Sequence, residues 1–196
     1  MKKALVLAAI VAAAAPQAFA QAKNFEGFSL GANLTSARTT TDLTPTGVAT
    51  TSDSANTIGL DLQAQYSMAL GSNFVLGLGA SLGTIKNKAG TIGATEFTTK
   101  DRYSLDFVPG YVLSPSMLLY GKLGILNATG VSTTAGADTT TSLTGSSYGV
   151  GVRGLIDKNL YYQVGYDMNQ YNEKDVTGGK IKPTASVFSF GVGYKF

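Results

Sequence analysis

Residues 58–82 read IGLDLQAQYSMALGSNFVLGLGASL. Ile58, Leu60, Leu62, Ala64, Tyr66 and Met68 alternate with Gly59, Asp61, Gln63, Gln65 and Ser67. After a break at Ala69–Asn73, Phe74, Leu76, Leu78, Ala80 and Leu82 alternate with Val75, Gly77, Gly79 and Ser81. A period of two places one set on each face of a strand, whereas a helix would repeat every 3.6 residues. The Gly-Ser-Asn break supplies the turn, so the stretch predicts an antiparallel hairpin.

The same rhythm recurs along the chain. Apolar alternation marks Phe28–Leu34, Tyr103–Tyr111, Leu119–Ile125, Tyr148–Val152, Leu160–Met168 and Phe188–Phe196, giving eight strands in all. Ala69–Asn73, Ser114–Ser116 and Asp157–Asn159 form short turns. Long connections, rich in Thr, Ser, Gly and Asp, alternate with them at Ser36–Asn56, Lys86–Asp101, Ala128–Gly145 and Asn169–Pro183. Short turns at one end and long loops at the other are the rhythm of a membrane barrel.

Met1–Ala20 has a basic start at Lys2 and Lys3, an apolar run Ala4–Ala15 and an Ala18-Phe19-Ala20 close. That order reads as a cleavable export signal, so the domains are a signal peptide over 1–20 and a barrel over 21–196, its strands from about residue 24. Without the signal the formal charge falls from +3 to a near balance of 13 basic and 12 acidic side chains, and no basic tract suggests nucleic acid. No later window reaches the 18 apolar residues of a membrane helix.

Eight strands also build soluble ligand-binding barrels, so the deciding matter is which face is wet. The polar parity is mostly Gly and Ser, a poor coat for a soluble protein but a good filling for a narrow lumen. The apolar parity suits lipid. Tyr66, Phe74, Tyr111, Tyr162, Tyr194 and Phe196 fall by the short turns or the chain end. Tyr103, Tyr148, Tyr166 and Phe188 fall toward the long loops. Two such bands predict interfacial girdles, although strand propensity alone also favours these residues.

The ending Phe188-Ser189-Phe190-Gly191-Val192-Gly193-Tyr194-Lys195-Phe196 resembles the terminal strand of Gram-negative outer-membrane barrels. With the export signal and the eight-strand rhythm, the chain resembles the OmpA/OmpX-type small barrel family across its whole mature length. The resemblance implies an all-β, eight-stranded antiparallel up-and-down transmembrane barrel in the cell outer membrane. It also implies that the barrel-assembly machinery reads Phe196 and Tyr194 as an assembly signal. Nothing here matches the peptidoglycan-binding domain of full-length OmpA, so no wall-anchoring role carries over.

Chemistry is sparse. The chain has 24 Gly and no Cys, His or Trp, and 14% of its residues are charged. Thiol catalysis, thiolate metal sites and histidine bases are thereby excluded. The enzymes among small outer-membrane barrels rely on His, which leaves only a His-free centre using Tyr161, Ser81 or Asp167, with no spacing in its favour. Gly149-Val150-Gly151-Val152-Arg153-Gly154 has dinucleotide-loop spacing but sits inside a strand rather than before a helix. Asn127-Ala128-Thr129 is a chance glycosylation sequon. No cofactor or metal is expected.

The inward charges are the most informative set: Asp61, Asp106 and Asp167 with Lys122, Arg153 and Lys195, joined by Gln63, Gln65 and Gln163, and Arg102 at the outer rim. They predict mutual ion pairs that either fill the lumen or gate a narrow path. Lys86, Lys88, Lys100, Lys174, Lys180 and Lys182 in the loops could meet lipopolysaccharide phosphates, and a surface ligand of unknown kind could meet the loops. The leading expectation is a non-enzymatic outer-membrane barrel serving envelope integrity and surface interaction through four extracellular loops. A narrow, low-conductance pore gated by the lumen charges is second, and a soluble periplasmic ligand-binding barrel third.

Overall fold

In the computed structural model, residues 21–45, 49–176 and 179–196 are described. The expected signal peptide lies outside them. Ten strands follow a short 3-10 turn at Ala22–Phe25: β1 (Gly27–Pro45), β2 (Thr51–Leu70), β3 (Phe74–Gly83), β4 (Asn87–Ile92), β5 (Thr95–Ser114), β6 (Met117–Thr134), β7 (Ala137–Leu155), β8 (Leu160–Tyr171), β9 (Lys174–Val176) and β10 (Gly179–Lys195). Eight of them pair in the order β1-β2-β3-β5-β6-β7-β8-β10, and β10 pairs back onto β1 to close an antiparallel barrel.

Pairing fixes the barrel's geometry. The partners run from Phe28 through Tyr66, Leu78, Phe107, Leu123, Tyr148, Met168 and Ser186 back to β1 at Arg38. The circuit therefore returns ten residues further along β1 than it began. Eight strands with that stagger tilt by about 40° to the axis, within the usual range for closed barrels.

Facing follows the alternation. The apolar parity points outward, with Leu78 63%, Val150 63% and Ile58 75% exposed. This outward belt reaches Leu70 and Leu113 at the short-turn end, and Ile58 and Ile85 at the other. The two aromatic groups sit at different heights on it, roughly 15–20 Å apart along the axis at a rise of ~3.3 Å per residue. All are exposed except Tyr162, which is half-buried against Gly154.

The long connections depart from expectation. They are largely strand, and among the described residues only 49–50, 84–86, 93–94, 135–136 and 172–173 fall outside strands there. Alternation is hard to read in these stretches because both faces carry hydroxyls: Thr39 and Thr41 are buried, while Thr40 and Asp42 on the opposite parity are half-exposed. Thr is a good strand former, so β structure continues past the apolar belt. A bulge at Lys100/Tyr103, with Asp101 at φ 50°, shifts the parity of β5 and turns Phe97 and Thr99 inward.

Beyond the belt the wall divides into two four-stranded sheets, β4-β5-β6-β7 and β2-β1-β10-β9. They face each other across an apolar core of Ala89, Phe97, Leu126, Ala128, Leu143, Tyr171 and Ile181. No ladder joins β2 to β4 among the described residues. Side chains close that seam instead. Asp53 accepts the Thr91 N–H at 2.6 Å, Thr57 Oγ1 accepts the Lys88 N–H at 3.1 Å, and Thr41 donates from inside to the Ala89 carbonyl at 2.9 Å. Gly90, at φ 130°, lets β4 lie this close to Asp53.

Candidate functional site

The lumen holds a short polar column between two apolar ends. At the short-turn end the 3-10 turn folds under the barrel, hinged at Gly27 with φ 119°. Its Ala22 and Phe25 pack on Val75, Val112 and Leu118. Asn24 donates to the Pro115 carbonyl at 2.8 Å, and Lys195 Nζ to the Glu26 carbonyl at 3.2 Å. The apolar core of the two-sheet cap closes the other end.

Above the lower plug lies an amide layer organised by Arg153. Its guanidinium donates to Gln163 Oε1 at 2.8 Å and Gln65 Oε1 at 3.1 Å, and stands 4.4 Å over the Tyr161 ring. Gln163 passes the network to Asn33 and Gln63, each at 2.7 Å. Arg153 thus has hydrogen-bond acceptors and a ring face but no carboxylate partner among the described residues.

Next comes a cavity of about 80 Å³ whose lining includes Asn33, Asp61, Ser81, Arg102, Lys122, Ser147 and Asp167. Lys122 pairs with Asp167 at 2.8 Å, and Arg102 with Asp61 at 2.9 Å. Both pairs are largely shielded, which strengthens the attraction but leaves each charge dependent on its partner. Asp106 Oδ2 accepts from Ser104 at 2.8 Å and Ser81 at 3.1 Å. Its Oδ1, like Ser147 Oγ, has no hydrogen-bond partner among the described residues.

The six inward charges therefore do not form three mutual pairs. Asp61, Lys122 and Asp167 line the cavity, Asp106 stands beside it on the Ser81 and Ser104 hydroxyls, Arg153 lies beneath it, and Lys195 stands apart at the barrel mouth. Arg102, expected at the rim, is inside, because the residue before outward-facing Tyr103 must point to the lumen. The role of Gln65 and Gln163 as acceptors for Arg153 was not foreseen, although their parity already placed both inside. The glycine-rich run at 149–154 is strand β7, where Gly149 and Gly151 leave room for Asp167 and Tyr120.

At the chain end, the Phe196 N–H donates to the Phe28 carbonyl at 2.8 Å, and its ring meets Tyr194 edge-on at 5.0 Å. On the cap, Lys88 pairs with Glu96 and Lys180 with Glu173, while Lys86, Lys100, Lys174, Lys182 and the outward Arg38 make no ion pair among the described residues. The Glu173 carboxylate beside Lys180 raises that ammonium above its ordinary range. The Thr91 and Ser54 backbone N–H groups hold the Asp53 carboxyl below the usual carboxylate range.

A carboxylate lowered on folding contributes stability above its unfolded value and loses it as pH falls through the folded one. The β2–β4 seam should therefore stay latched down through the ordinary carboxylate range and open only below it. Amide exchange at Thr91 checks this, with Asp53→Ala expected to release that amide at neutral pH. Unchanged protection in the variant would remove Asp53 from the latch.

The profile of the outer membrane protein β-barrel domain matches residues 4–196. No curated protein sequence matches the chain. Among solved structures, Neisserial surface protein A (NspA) is similar with 16% identity and a TM-score of 0.54, covering 87% of this chain and 98% of its own. Ail, the attachment invasion locus protein of Yersinia pestis, is similar with 18% identity and a TM-score of 0.50, covering 87% and 99%. Ail crystallised with the heparin analogue sucrose octasulfate is similar with 16% identity and a TM-score of 0.52, covering the same shares.

Proposed function

The chain belongs to the outer-membrane β-barrel family and resides in the outer membrane, and within that family we propose that it is a non-enzymatic envelope protein acting at the cell surface through its four protruding hairpins. The observation that carries this reading is the closure of the lumen by apolar side chains at both ends. What remains for partners is the two-sheet cap above the belt. The outward apolar belt and the family's location leave the soluble periplasmic reading without support.

The cap meets the surrounding lipid first. Arg38, Lys86, Lys100 and Lys182 lie beyond Ile58 and Tyr103 on the long-loop side of the belt, where lipopolysaccharide phosphates would meet them, and none is spent on an ion pair among the described residues. Cations at that height would neutralise those phosphates. A surface ligand with clustered negative charge would use the same residues, and one Ail structure holds such a molecule, a heparin analogue. Replacing the four by Ser is expected to reduce the lipopolysaccharide that copurifies with the folded barrel. Full retention, with an intact heat-dependent gel shift, would count against the cationic ring.

The narrow pore is the second reading, and conductance separates the two. The refolded barrel is expected to give no reproducible steps in a planar bilayer, and Lys122→Ala or Arg153→Ala to leave that silence unchanged, since neither touches the apolar plugs. Steps that change with either substitution would make the lumen charges a gate. The assembly-signal role of Tyr194 and Phe196 belongs to the same proposal, supported by an exposed aromatic pair on the last strand.

A further inference from the structure

The formal charges around the central cavity do not balance. Asp61 and Asp167 line it with Arg102 and Lys122, Asp106 stands beside it on the Ser81 and Ser104 hydroxyls, and among the described residues the other buried cation, Arg153, is separated from them by the Gln63–Gln65–Gln163 amide layer. One negative charge is left over, and geometry locates it. Asp106 is 4% exposed, its Oδ2 is held by two serine hydroxyls, and its Oδ1 has no hydrogen-bond partner among the described residues. Ser147, 5% exposed, also has an unpartnered hydroxyl. Both atoms hang over Gly124: a Cβ built there would collide with Asp106 Oδ1 and come within 2.9 Å of Ser147 Oγ. A buried carboxylate oxygen and a buried hydroxyl thus both reach over Gly124, whose missing Cβ lets them approach.

We propose that Asp106 Oδ1 and Ser147 Oγ form an occluded site for one small monovalent cation, sodium or potassium. Ionic valence follows from the ligands. A single carboxylate with neutral oxygens matches a single positive charge, whereas calcium and magnesium sites gather several carboxylates or bound waters. The ion cancels the surplus charge of the cavity, which would otherwise be a buried, uncompensated carboxylate. Because apolar side chains close both ends of the lumen, the ion is enclosed as the barrel folds.

The test is refolding of the full chain into detergent in sodium, potassium, thallium(I) or N-methylglucamine salts of equal ionic strength. The melting temperature of the native sequence is expected to be several degrees higher in the small cations than in N-methylglucamine, with a thallium NMR signal saturating at one equivalent. Asp106→Asn should abolish both the cation dependence and the signal, and Ser147→Ala should weaken both. Ser147→Ala carries the test if Asp106→Asn does not refold. Equal melting in all four salts with no bound thallium overturns the site. So does a protonated-carboxyl infrared band, lost in Asp106→Asn, that is the same in every salt. The lipopolysaccharide and conductance experiments fail or succeed independently of these outcomes.

Discussion

Leu78→Arg is expected to cost about 2–4 kcal/mol of folding free energy in a bilayer, because it places a guanidinium on the lipid side near the midplane. Leu78 stands outward between the two aromatic bands, flanked by Tyr66 on β2 and Phe107 on β5. At that depth neither headgroups nor water reach the charge without deforming the bilayer. Charges at Leu62 or Val164, on the same face of β2 and β8, should behave alike. Ser36→Arg, outward but near the upper interface, should cost only about 0–1 kcal/mol. Equilibrium unfolding in lipid vesicles measures both. Equal midpoints for Leu78→Arg, Ser36→Arg and the native chain would mean that the apolar parity does not face lipid.

This facing was legible in the sequence because lipid and lumen make opposite demands on neighbouring residues. Between Ile58 and Leu82 every second side chain had to be apolar, so eight strands and their outward faces could be marked. Beyond the belt the demand disappears. Water outside and a mixed core inside accept the same threonines, and Thr39–Thr41 or Thr139–Ser142 then carry no alternation to read. The two-sheet cap was hidden for that reason, and the Lys100/Tyr103 bulge hid it further by changing parity midway along β5.

The lumen was half legible. Parity placed Asp61, Asp106, Lys122, Arg153 and Asp167 inside, but pairing depends on height as well as facing. Height is set by the ten-residue stagger, which no local pattern encodes. Lys122 and Asp167 meet because each is in register with Gly149 on the intervening β7. Lys195, of inward parity too, stands apart because its place at the end of β10 puts it at the mouth.

Lys122→Met should destabilise the barrel by about 3–5 kcal/mol, the usual cost of removing one partner from a shielded ion pair. The loss leaves Asp167 unpaired, in a cavity that already holds more acids than bases, and Met supplies no hydrogen bond in return. Asp167→Asn should cost less, because the Lys122 ammonium still feels the negative charge of Asp106. The same substitution brings the cavity to neutrality, so cation-dependent melting should disappear along with the pair. The double variant Lys122→Met, Asp167→Leu removes both charges at once and should lie closer to the native stability than Lys122→Met alone. Urea unfolding of the four proteins in one detergent compares them. Equal losses for Lys122→Met and Asp167→Asn would mean that Asp106 does not share Lys122, and that the three acids around this cavity act separately.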